Sequence, residues 1–283
     1  MFYSASNAKL KVNDEEILAS NASLSLSTSL QPNYLITRRN TNKFVASDGV
    51  GGDLSFNYFL TGKDFFKTFI TGQGERAGEA TVISGNFGGL NFDSGYLTSY
   101  SVNFGPNSPA IASATVSFFD DLKGEFAPVE ELAPDIVGIL NFKNASVAGE
   151  TASGFDNVEN FVGGAYNYTA EVKPVYLIRE TKPSAVSFGP KNVNLNFEID
   201  SPSGYLPFSG VSAKVSVDLK NSAGTTVENF TCDGALQQRA LGSAAGDYIK
   251  QTINIVEAGT TASKITNAAG GRPTVIENMH AYL

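Results

Sequence analysis

Apolar and polar residues alternate with period two along much of the chain. In residues 23–30, Leu24, Leu26 and Leu30 fall on one face, and serines and a threonine fill the positions between. In residues 165–172, Tyr166, Tyr168 and Val172 do the same. Successive side chains of a strand point to opposite sides, so each stretch predicts a half-buried strand. Each runs into a related block: Pro32-Asn33-Tyr34-Leu35-Ile36 in the first case and Pro174-Val175-Tyr176-Leu177-Ile178, 142 positions later, in the second. Further echoes follow in order. Leu54-Ser55-Phe56-Asn57-Tyr58 answers to Leu195-Asn196-Phe197-Glu198-Ile199 at an offset of 141, and residues 114–118 answer to 251–255 at 137. Ordered echoes with slowly drifting offsets predict a diverged duplication of a domain of roughly 130 residues.

The remaining pattern fills in each copy. A first strand is expected near residues 8–12, then a turn at Asn13-Asp14-Glu15-Glu16 and a glycine-containing loop over 40–53. A single helix is expected over 61–71, capped by Thr61 with Asp64 three residues on and stopped by Gly72. Its apolar stripe is Phe65, Phe66, Phe69 and Ile70. Residues 82–92 read as short β segments broken by glycines, and 95–104 with 112–119 read as a hairpin around Gly105-Pro106-Asn107-Ser108-Pro109. Prolines and paired acids over 120–134 predict a linker. In the second half, 147–160 reads as an insertion, 201–210 as a loop in place of the helix, 211–219 as a strand, and 261–283 as a tail with a last strand near 274–282. The fold expected is mainly β, with two related antiparallel β-sandwich or half-barrel domains, the first carrying one short flanking helix. Their bounds are 1–127 and 139–283, with 128–138 between.

Composition narrows the chemistry. Charged residues are 17%, the formal net charge is −8, and no basic tract occurs. This argues against sequence-specific nucleic-acid binding, which needs clustered Lys and Arg. The one cysteine, Cys232, forms no intrachain disulfide; it is expected to be a small core or turn residue within Phe230-Thr231-Cys232-Asp233-Gly234. The one histidine is His280, so neither a Ser-His-Asp arrangement nor a His/Cys metal cluster is expected. Asp48-Gly49-Val50-Gly51-Gly52 precedes a strand rather than a helix and so is not expected to cradle phosphate. Acidic Asn13-Asp14-Glu15-Glu16 lacks calcium-loop spacing. Two carboxylates could serve a glycosidase, although no tryptophan is present to stack a sugar. The Asn-x-Ser/Thr triplets at Asn21, Asn144, Asn167 and Asn229 are read as chance, since no leader or membrane-spanning run is recognised; a soluble protein from a reducing compartment is expected. No enzyme activity, metal or cofactor is expected.

The order of strand, strand, strand, short amphipathic helix, glycine-rich loop and hairpin resembles the tail-tube fold of bacteriophage tails and related injection machines. Gly95-Tyr96-Leu97-Thr98-Ser99-Tyr100-Ser101-Val102 is similar to that family's late strand. The resemblance covers about residues 20–120 and, more weakly, 160–257. It implies a virion protein, assembled in the host cytoplasm, whose partners are itself and other tail proteins. Trimeric pseudo-hexameric or hexameric rings would stack into a tube, with DNA passing as non-specific cargo and no membrane involved. Strands 54–60, 193–200 and 95–104 are the expected ring wall. Ser55, Asn57, Ser99, Ser101, Asn103, Asn194, Asn196 and Glu198 would then face the lumen. A baseplate hub, neck or capsid decoration protein is the alternative within virions; a carbohydrate-binding adhesin is the alternative from another class.

Overall fold

The computed structural model describes residues 9–33, 43–72, 82–105, 108–119, 122–127, 138–140, 145–149, 160–178, 183–200, 212–221, 223–245, 248–257 and 264–266. The protein is mainly β, with one short helix among these residues, and every described strand belongs to one antiparallel sheet that does not close on itself. The first half contributes β1 (Leu10–Val12), β2 (Glu15–Ile17), β3 (Ala19–Asn33), β4 (Lys43–Phe59), α1 (Phe65–Gly72), β5 (Ile83–Phe87), β6 (Leu90–Phe104) and β7 (Ile111–Phe118). The second contributes β8 (Ala145–Gly149), β9 (Phe161–Val175), β10 (Ala185–Asp200), β11 (Ser212–Lys220), β12 (Thr226–Gly242), β13 (Lys250–Glu257) and β14 (Lys264–Thr266).

The two halves repeat one topology. The first has the order β1-β5-β6-β7-β4-β3 and the second β8-β11-β12-β13-β10-β9. In each, the long β6 or β12 gives its first part to a small outer group of strands and its second part to the main wall. The correspondence extends to irregularities. The bulge between Ala19 and Asn21 against β4 matches the one at Phe161 and Gly163 against β10, and the bulge at Leu97/Ser99 in β6 matches Leu236/Gln238 in β12. The offsets of 142 and 141 read from the sequence are those of the paired strands, since Leu24 opposes Leu54 where Tyr166 opposes Leu195.

The third offset is corrected. Val116 opposes Leu54 where Ile255 opposes Leu195, so β7 and β13 align at 139 rather than 137. A two-residue slip keeps every side chain on its face, and alternation alone does not detect it. Other expectations shift as well. The helix begins at Phe65 with Asp64 as its N-cap, accepting from the Phe66 amide at 2.9 Å; Thr61 is exposed and outside it. The loop expected over 40–53 is strand from Lys43 onward. Gly52 sits there because a Cβ would lie 2.1 Å from the Ser25 carbonyl and 2.5 Å from the Phe118 ring. The turn near residue 13 uses only Asn13 and Asp14, both at positive φ, so Glu15 already pairs with Val12. Residues 145–149, which overlap the expected insertion at 147–149, form β8, the counterpart of β1. Cys232 lies within β12, not in a turn. The expected loop at 201–210, the last strand at 274–282 and His280 lie outside the described residues, as does most of 128–138.

The core runs through both halves. Leu54, Phe56, Tyr100, Val102 and Val116 of the first half and Tyr168, Leu195, Phe197, Phe230 and Ile253 of the second are buried in one continuous cluster. Leu140 joins it, its amide donating to the Leu60 carbonyl at 2.8 Å and its carbonyl accepting from Ala110 at 2.8 Å.

Candidate assembly surface

Two features stand out: a polar face that crosses from one copy to the other, and the joint that makes the crossing.

All eight residues expected to face a lumen lie on the face of the sheet opposite the core. Six are half-buried by their neighbours, while Asn103 and Glu198 are exposed. Register brings them into rows. One row runs Asn21, Asn57, Ser113, Ser101, Asn167, Asn194 across β3, β4, β7, β6, β9 and β10. A second runs Ser23, Ser55, Thr115, Ser99, Thr169, and a third Asn103, Ala165, Asn196, Asn254, Gln238. Neighbours in the rows bond to one another. Ser55 and Thr115 hydroxyls are 3.1 Å apart, and the Asn167 amide donates to Asn194 Oδ1 at 2.9 Å. These rows carry no Lys or Arg; further along the same face lie Asp53, which accepts from Ser117 at 2.6 Å, Glu198, Asp200 opposite Lys250, and Glu171 paired with Lys173. Alternation of short polar residues with large apolar ones is the local cause, because period two sends one set to each face.

The joint is the pairing of β6 with β9, from Ser99↔Thr169 to Phe104↔Gly164. It occupies the stretch of the β6 edge beyond β5, which pairs only residues 90–95. Its core-side residues are large and buried: Tyr100 opposes Tyr168, and Val102 opposes Tyr166. The first part of β12 packs over it. Phe230 lies 5.5 Å from the Phe104 ring and 5.3 Å from the Tyr166 ring, centroid to centroid.

A buried polar cluster ties α1 to the same strand. Asp64 accepts from Tyr58 at 2.8 and 2.9 Å and from the Tyr100 hydroxyl. Its amide donates to Glu228 Oε2 at 2.6 Å. Glu228 also accepts from Lys67 Nζ at 2.7 Å and from the Asn229 amide at 2.8 Å. Burial pushes the Asp64 carboxyl above its ordinary value, against the lowering effect of its hydrogen bonds, and raises Tyr58 and Tyr100 well above theirs. Asp64 and Glu228 are two neighbouring acids, the kind of carboxylate pair weighed from the sequence. Here their oxygens are occupied by tyrosines, amides and a lysine, which makes the cluster a clamp between the halves. The sequence reading missed Glu228: it is 164 positions from Asp64, and nothing local to either residue signals the contact.

Cys232 is buried with its thiol pushed up to about 12, burial being the main cause, and its Sγ lies 3.6 Å from the Ile255 carbonyl. No group of three or more His, Cys, Asp or Glu able to hold a metal occurs among the described residues, nor does a helix long and apolar enough to cross a membrane. No protein-family model matches the chain, and no curated protein matches it in sequence.

Proposed function

We propose that the chain is a structural subunit that joins copies of itself edge to edge into a ring, and that such rings stack into a tube with a polar channel, as in a bacteriophage tail. One observation carries the reading. The two copies inside a single chain are already joined edge to edge, β6 to β9, with their polar faces continuous across the joint. A head-to-tail contact of unlike edges repeats without limit unless rotation closes it, and closure gives a ring. Closing the sheet also removes open edges that would otherwise aggregate.

Three chains would present six copies of the domain around such a ring. The channel wall would be the rows of Ser, Thr and Asn described above, with Asp53 and Glu198 adding negative charge. A wall of this kind lets DNA pass, because its rows of Ser, Thr and Asn offer no cations to hold phosphates and the lysines further along the face, Lys173 and Lys250, stand beside Glu171 and opposite Asp200. On this reading the buried acids and Cys232 are structural, and the chain carries out no catalysis.

Mass photometry and negative-stain electron microscopy of the purified protein test the reading. The expected species is an annular trimer of about 90 kDa, three times the 29.9 kDa chain, that stacks at higher concentration. Ser99→Lys and Ser101→Lys variants should still form rings but retain DNA that the parent protein releases at low salt. A protein that stays monomeric at micromolar concentration refutes the proposal.

A further inference from the structure

We infer that the contact between chains is the second part of β12 against β3 of the next copy, antiparallel, with Gln238 opposite Ser27, Arg239 opposite Leu26, Ala240 opposite Ser25, Leu241 opposite Leu24 and Gly242 opposite Ser23. The inference rests on the self-assembly reading above and assigns its partner surface.

The register follows from the internal repeat. Within the chain, β6 pairs with β9 as Ser99↔Thr169, Tyr100↔Tyr168, Ser101↔Asn167, Val102↔Tyr166 and Asn103↔Ala165. The counterpart of β6 is β12, because Leu97 opposes Val116 as Leu236 opposes Ile255. The counterpart of β9 is β3, because Tyr166 opposes Leu195 as Leu24 opposes Leu54. Replacing each residue of the internal joint by its counterpart yields the five pairs. Both bulges next to the joint are shared by the two copies, so the substitution involves no change of phase.

Both edges are available. On β12, β11 covers residues 226–235 and leaves the same stretch beyond it that β9 fills on β6; among the described residues no strand pairs there. On β3, β4 covers one edge, and no described strand covers the other. The core-side residues of these edges differ from their internal counterparts in identity, with Leu24, Leu26 and Arg239 where the joint has Tyr166, Tyr168 and Tyr100, and in exposure. Leu241 is 64% exposed where Val102 is 0%, and Leu26 is 45% exposed where Tyr168 is 0%. Docking the two edges would place Leu241 on Leu24 and the stem of Arg239 along Leu26. Residues 19–30 of β3 contain neither Lys nor Pro, the usual guards of an open edge.

Paired cysteines in the full chain test the register. Directly opposed residues of antiparallel strands place Cα atoms about 4.5–5.5 Å apart, within the roughly 4.4–6.8 Å that a disulfide spans. Under mild oxidation, Ser25→Cys with Ala240→Cys, and Leu24→Cys with Leu241→Cys, should each give a ladder of covalent oligomers on non-reducing gels. Ser25→Cys with Leu241→Cys, one residue out of phase and on opposite faces, should give at least about tenfold less. Leu241→Glu and Leu26→Glu change side chains already exposed in the monomer, so they should leave circular dichroism unchanged. Each should raise the concentration needed for assembly by about 100-fold, by placing an unpaired charge in the joint. If rings form but the matched pairs do not cross-link, or Ser25→Cys alone cross-links efficiently, then other edges meet and this joint is wrong while self-assembly stands. A chain that never associates overturns both.

Discussion

Replacing Phe230 by alanine should loosen both halves of the molecule together. The side chain is fully buried. It belongs to the second half but lies against Phe104 of β6 at 5.5 Å and Tyr166 of β9 at 5.3 Å, with Lys67 Nζ from α1 5.5 Å from its ring centre. Truncating a buried phenylalanine costs about 3–5 kcal/mol through lost transfer energy and the cavity left behind. The two ring contacts and the lysine place this site toward the upper end of that range. Against a net stability of about 5–15 kcal/mol, the loss is a large fraction of the total. Urea unfolding followed by circular dichroism and tyrosine fluorescence should show one transition at a markedly lower midpoint. Hydrogen exchange should accelerate in β4 around Leu54 and Phe56 as well as in β10 around Leu195 and Phe197. A loss below about 1.5 kcal/mol, or faster exchange confined to the second half, would refute the shared core.

Other substitutions probe separate features. Asp64 has its folded pKa raised mainly by burial, so its folded state holds the proton more tightly than the unfolded chain does, and its contribution is greatest at low pH and declines as pH rises through the folded pKa. The stability of the parent minus that of Asp64→Asn, measured by urea unfolding between about pH 4 and pH 7, should therefore fall with rising pH; a difference that grows would mean Tyr58, Tyr100 and the amide outweigh burial. Gly164→Ala would bring a Cβ within 2.2 Å of the Asn196 carbonyl and 2.9 Å of Phe197 Cα, backbone that cannot swing aside. It should cost about 1–3 kcal/mol in the same assay, and a neutral result would show that β9 can shift against β10. With its thiol near 12, Cys232 has roughly one thiolate in ten thousand at pH 8, so an aromatic disulfide reagent should leave the folded protein unmodified and react fully in urea; modification of the folded protein at a free-thiol rate would contradict its burial.

Much of the wall was legible because its information is local. Alternation in residues 54–58 and 99–104 assigns each side chain to a face, and the buried Leu54, Phe56, Tyr100 and Val102 are the ones it sends inward; it fails across the bulge at Leu97/Ser99, where Leu97 joins the main core and Tyr96 a separate cluster with Phe188. The helix was legible from the stripe of Phe66, Phe69 and Ile70, all buried, although Asp64 rather than Thr61 caps it. The repeat of topology showed in Pro32 and Pro174 and in the offsets of 142 and 141, which the strand registers reproduce. The joint did not show. Which edge of one hairpin meets which strand of another depends on shape over tens of residues, and neither Ser99 nor Thr169 carries a local mark of its partner. The strand through Gly49, Gly51 and Gly52 was hidden for a related reason. Glycine normally argues against strand, and at Gly52 it is demanded by the approach of Ser25 and Phe118, which only the folded sheet reveals.

Because the β6–β9 contact is made within one polypeptide, it forms at the high effective concentration of tethered partners, on the order of millimolar, whatever the protein concentration in solution. In the proposed ring of such copies, every second contact would therefore be complete once the monomer has folded, and only the alternate ones would depend on encounter. The rate of assembly then follows a lower power of concentration than it would for separate single-copy subunits. The two kinds of contact are also free to diverge. The tethered one never meets water after folding and can be lined with Tyr100, Tyr166 and Tyr168. Under the proposed assembly, the edges left for encounter, bearing Leu24, Leu26 and Leu241, would have to be tolerated by solvent until a partner arrives.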